Sequence, residues 1–114
     1  MSKGMSYMFR GTKGDIINVA SNLPSNEKGL IRQGWEDVSH PRQAATGHYT
    51  YKDPDTGLKI RYDAPKEGAS GFRGKGHFHI LNPSATGPKN LYLDKDGNPV
   101  AKNSPASHLL PKGD

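Results

Sequence analysis

Alternation of apolar and polar positions marks the strands of this chain. Leu58, Ile60 and Tyr62 are apolar at every second position, with Lys59, Arg61 and Asp63 between them. On a strand, that period sends the apolar side chains to one face and the charged ones to the other. Asp53 to Gly57 (Asp-Pro-Asp-Thr-Gly) is turn chemistry, and His48 to Lys52 before it is β-branched and aromatic. Together they predict a hairpin. The alternation returns at His77-Phe78-His79-Ile80, where Phe78 and Ile80 face a core and the two imidazoles share the opposite side. Asn90 to Leu93 reads as a short strand, and the turn Asp94 to Pro99 leads into Val100.

A different spacing rules the first third. Ile16, Ile17, Val19, Ala20 and Leu23 fall on one side of a short helix, with Asp15 near its free amides and Pro24 stopping it. Ser25 to Lys28 offers capping chemistry for a second helix ending at Gly34, with Leu30, Ile31 and Trp35 as its buried stripe. Trp35 and Val38 are expected to anchor this half. His40-Pro41 through Gly47 reads as a connecting loop, because the residue before a proline is driven out of helical geometry. Ala64 to Gly71 and Ser84 to Lys89 are loops, and the segment from Lys102 to Pro111 is expected to cross back over the sheet. The predicted fold is α+β: short N-terminal helices packed on one antiparallel sheet of four to five strands, with one sheet face free.

Composition bounds this picture. At 114 residues the chain suits one domain with a modest core, and its 14 glycines and 9 prolines make it loop-rich. Residues 1–14 are expected to be a disordered or vector-derived start, 15–110 a single domain and 111–114 a tail. The absence of cysteine excludes disulfides, thiolate metal sites and Cys nucleophiles together. No apolar run is long enough to span a bilayer, so the domain itself is expected to have no membrane partner. A net charge of +5 points to polyanions, since Lys and Arg release counterions from a phosphate backbone on binding it.

The charge is concentrated where the histidines are. No acidic residue occurs from Gly68 to Leu93, while Arg73, Lys75 and Lys89 do. His77 and His79 on one strand face admit three readings. The first is acid/base chemistry, in which one ring takes a proton and another gives one, as cleavage of RNA by its own 2′-hydroxyl requires. Arg61 and Lys75 would then stabilise the phosphoryl oxygens without a metal or other cofactor. Lys59, Arg73 and Lys89 are candidates for binding the substrate backbone. The second is metal binding, with a third ligand from His108, His40 or His48 and a carboxylate from Asp63 or Glu67 to complete the site. The third is structural, with rings that only cover the sheet. His108 and Ser104, in Asn103 to His108, can fold onto the same face. A Ser/His/Asp hydrolase lacks its Gly-x-Ser-x-Gly elbow, and Gly71-x-x-Gly74-x-Gly76 precedes a strand where a dinucleotide fingerprint precedes a helix.

Four runs carry a resemblance: Gly34 to Val38 (Gly-Trp-Glu-Asp-Val), Asp55 to Asp63, Gly71 to His79 with Asn82-Pro83, and Tyr92 to Val100. Over about residues 30 to 110 the chain resembles the C-terminal toxin domains of bacterial polymorphic toxins, of the contact-dependent inhibition and Rhs types. The resemblance implies an antibacterial effector, secreted or delivered as part of a larger protein and acting in the target-cell cytoplasm. Its activity would commonly be that of a nuclease, often one that cuts tRNA, neutralised by a cognate immunity protein; the acid/base reading of the histidines makes it a ribonuclease leaving a 2′,3′-cyclic phosphate. The implied arrangement is barnase/EndoU/colicin/RelE-like, helices against a twisted sheet whose exposed face holds His, Arg, Lys and Ser. His77, His79, Arg61 and Lys75 stand in the matching motifs, and the resemblance extends to His108 and Ser104. Gly76 departs from it, standing where an acidic residue is expected. The rival readings are a metal-dependent HNH-like nuclease using His79, Asn90 or Asn103, and His108, and a non-enzymatic basic RNA- or protein-binding module.

Overall fold

Six strands in the order of the sequence form one antiparallel meander among the described residues. The structure, a computed structural model, describes residues 7–111, without the side chains of Phe72 and Arg73. The strands are β1 (Glu36–Asp37), β2 (His48–Lys52), β3 (Lys59–Asp63), β4 (His77–Leu81), β5 (Tyr92–Leu93) and β6 (Pro99–Val100). The α+β class is as expected; the strand beyond the expected four to five is β1, which pairs with the end of β2.

Helix α1 (Lys13–Ser21) begins at Thr12, whose side chain accepts from Asp15 N while the Asp15 carboxylate accepts from Thr12 N, a reciprocal capping box. Helix α2 (Glu27–Arg32) is capped by Asn26 and ends at Gly34, whose φ of 95° lies where only glycine is unstrained. Leu30 is buried, but Ile31 is 49% exposed because the next residue lies about 100° round the helix. Val38 is likewise 45% exposed, following a two-residue edge strand, so of the two expected anchors Trp35 is in the core and Val38 is not. A third helix, α3 (Pro41–Ala44), occupies part of the expected loop. His40 is its extended N-cap and Pro41 its first residue, so the restriction imposed by the proline falls on a position that is non-helical in any case.

The core lies between α1, α2 and one sheet face: Ile16, Leu23, Leu30 and Trp35 meet Tyr51, Leu58, Ile60, Tyr62, Phe78, Ile80 and Leu93. The ordered body begins before residue 15. Phe9 packs on this core, Arg10 N donates to Thr56 O, and Tyr7 Oη donates to Leu81 O while accepting from Lys59 N. Residues 1–6 and 112–114 lie outside the described residues. No helix of the described residues is long and apolar enough to cross a membrane.

The second sheet face is not left free. β5 pairs with β4 only at Ile80 and Leu81, so the edge at Phe78 is open to another segment. Leu109 takes it, donating to Phe78 O at 2.8 Å and accepting from Phe78 N at 2.7 Å. This bridge folds Ser107 and His108 over β4, and both faces of the strand are covered.

Candidate functional site

Register places the chemistry. β3 and β4 pair with Arg61 opposite His79 and Asp63 opposite His77, while β2 sets His48 opposite Asp63. Because Ile60, Tyr62, Phe78 and Ile80 point into the core, these five polar side chains emerge together on the other face. The rings of His77 and His79 lie 4.9 Å apart at 87°. The Leu109 bridge brings in His108, 5.0 Å from His77 and 4.8 Å from His79 by ring centroids. On the other side Tyr92 of β5 stacks on His79 at 4.4 Å. His77 and His79 are only 5% and 4% exposed, yet both reach the wall of a cavity of about 380 Å³ that His48, Arg61, Asp63 and His108 share. The exposed Lys66 and Asn103 lie on the same wall.

Asp63 is the hub. Its Oδ1 accepts from Arg61 Nε and from His48 Nδ1, both at 2.7 Å. Its Oδ2 faces Nε2 of His77 at 3.3 Å and of His79 at 3.4 Å. Burial pushes the carboxyl pKa up, but the bonds with His77, His79, Arg61 and His48 outweigh it and hold Asp63 well below the usual carboxylate range. Burial also opposes the Arg61 charge; the contacts with Asp63 and Tyr92 outweigh it, and the guanidinium pKa is pushed up. For His79 burial wins over Asp63, lowering the ring's pKa and favouring its neutral form.

The three clustered rings are anchored alike. Nδ1 of His77 lies 3.0 Å from Lys75 O, that of His79 2.8 Å from Ser107 O, and that of His108 3.0 Å from Ser104 O. A carbonyl only accepts, so Nδ1 carries the hydrogen in each and Nε2 is the nitrogen that exchanges protons or binds a cation. One ligand atom from each of these rings lies within 4.8 Å of the others, a grouping that could hold a metal ion.

Of the residues expected at the site, Arg61, His77, His79 and His108 are brought together. Lys75 contributes its backbone carbonyl; its exposed side chain is not on the cavity wall. Ser104 likewise acts through its carbonyl, its hydroxyl donating to Ala101 O at 2.8 Å. Lys59 sits over the Tyr7 ring, 5.1 Å from its centroid. Lys89 lines a neighbouring hollow that shares Asn103 with the main cavity. The Arg73 side chain is outside the described residues. His40 caps α3, accepting from Arg42 N.

Tyr92, the plate beneath His79, escapes the sequence reading of the site; Asp63 and His48 enter that reading only as ligands completing a metal site, and their pairing as hub and partner does not. Alternation already sets Asp63 on the face of Arg61, so its side was legible and its partners were not. The acid-free window from Gly68 to Leu93 is no guide to the field at the histidines, because the carboxylate arrives from the neighbouring strand. No family model, curated protein or solved structure matches this chain.

Proposed function

We propose that the chain is a metal-independent endoribonuclease acting as an antibacterial toxin domain. The supporting observation is the convergence of His77, His79 and His108 with the Arg61–Asp63 pair on one cavity. Nε2 of His79, or of His77 beside it, takes the proton of a ribose 2′-hydroxyl, and the 2′-oxygen attacks the adjacent phosphorus. The bond from phosphorus to the 5′-oxygen breaks, and His108 gives that oxygen a proton. The products are a 2′,3′-cyclic phosphate and a 5′-hydroxyl. Arg61, fixed by Asp63 and Tyr92, supplies positive charge to the phosphoryl oxygens, and Lys66 on the same wall adds to it. Lys75, expected in that role, gives way to Lys66 because its side chain is not on the wall.

Within this reading tRNA is the substrate, a cognate immunity protein the partner, and delivery as part of a larger effector to a target-cell cytoplasm the setting; the resemblance to polymorphic toxin domains supports each. The test is incubation of total RNA with the protein, with and without chelator. Cleavage that persists in chelator is expected; intact RNA, or cleavage only with added metal, contradicts it. A metal-dependent nuclease is the second reading, favoured by Asn103 on the wall with His79 and His108. Asn90, the other amide weighed for it, instead accepts from Thr86 N and Gly87 N.

A further inference from the structure

We propose that His77, His79 and His108, with Asp63 Oδ2, form a binding site for a divalent transition metal of the zinc or cobalt kind. The three ring centroids make a nearly equilateral triangle, with sides of 4.9, 5.0 and 4.8 Å. Each ring has its Nδ1 on a backbone carbonyl, the outer-shell bond that orients metal-ligating imidazoles and leaves Nε2 to coordinate. Two of the rings stand on β4, a strand covered on both faces, so the ligands are held before any ion arrives.

Asp63 completes the donor set. Its two oxygens divide their work, Oδ1 taking Arg61 and His48 while Oδ2 faces Nε2 of His77 and His79. A tetrahedral ion with ligands at about 2.0–2.1 Å sets neighbouring donor atoms about 3.3 Å apart. Oδ2 already lies at 3.3 and 3.4 Å from the two nitrogens. His108 is half-buried on the C-terminal segment, and the ring ligand atoms, within 4.8 Å of one another, close by up to about 1.5 Å around the ion. Three imidazoles and one carboxylate suit zinc, cobalt or nickel over magnesium or calcium, which take oxygen ligands.

This inference does not rest on the ribonuclease reading, but bears on it: an ion on the three Nε2 atoms removes the proton-transfer groups, so metal-loaded protein does not cleave by that route. The test is titration of chelator-stripped protein with Co²⁺ alone, read by the visible absorption of tetrahedral cobalt. One equivalent per chain is expected, displaced by Zn²⁺ and unchanged in His40→Ala. His108→Ala, its fold checked by circular dichroism, should weaken binding at least as much as the roughly 10- to 100-fold that losing an outer-shell partner costs. Imidazole ¹⁵N spectra of the wild-type chain give a readout free of mutation, with Nε2 of His77, His79 and His108 shifting together on addition of Zn²⁺. Absence of stoichiometric uptake, uptake indifferent to His108→Ala, or a shift confined to His40 would overturn the proposal.

Discussion

Asp63 Oδ2 lies 3.3 Å from Nε2 of His77, its cross-strand partner, although 13 residues separate them in the chain. One carboxylate thus ties three strands together, since His48 on β2 and Arg61 on β3 bond its other oxygen. Asp63→Asn keeps the shape and removes the charge. It should lower stability by about 2–3 kcal/mol, towards the lower end for a broken buried pair because Arg61 and His48 are partly exposed. Chemical denaturation measures this; an unchanged midpoint would show that the hub is not energetically coupled.

Gly76 makes a steric prediction. A Cβ built there runs into Tyr62 Oη and comes within 3.0 Å of Tyr62 Cζ. The acidic side chain expected at this position from the resemblance therefore has no room. Gly76→Ala should cost about 1–3 kcal/mol, as overpacking does, and adding Tyr62→Phe should recover part of it. Purely additive losses in the two variants would remove the steric explanation.

The cations divide by whether they reach the cavity. Arg61→Gln should slow RNA cleavage by roughly 10²- to 10³-fold, the scale for losing one donor to developing charge. Lys75→Ala should cleave near the wild-type rate, because only its carbonyl holds His77. Initial rates on a labelled tRNA, with folding checked by circular dichroism, compare the two. A larger loss in Lys75→Ala than in Arg61→Gln would reverse the assignment.

Tyr7 gives an alkaline signature. Burial pushes its phenol up to about 12, against the lowering effect of the bond from Lys59 N. A raised folded-state value contributes stability that is full below the unfolded value near 10 and is lost as pH climbs towards 12. Tyr7→Phe should lose about 1 kcal/mol at neutral pH, with the alkaline fall shallower by about one proton. Denaturant midpoints from pH 9 upwards, taken for both proteins, read the difference.

What could be read from the chain follows locality. Period-two alternation in Leu58 to Asp63 and His77 to Ile80 fixes which side chains share a face, and the structure keeps every one of those assignments. Caps are equally local: Asn26 and Gly34 bound α2 from their own chemistry. Register is a long-range property, so nothing in the acid-free window announced that Asp63 would stand beside His77. The covering of β4 is also long-range, depending on β5 being too short to occupy the Phe78 edge and on Leu109 reaching it. That is why an open face was expected where a walled cavity stands.

The most direct measurement is the chemistry of the ends left on a tRNA cut by chelator-stripped protein. Fragments with a 2′,3′-cyclic phosphate and a 5′-hydroxyl are predicted, formed roughly 10²- to 10⁴-fold more slowly by His108→Ala. Intact tRNA, or fragments ending in a 3′-hydroxyl and a 5′-phosphate, would contradict the account.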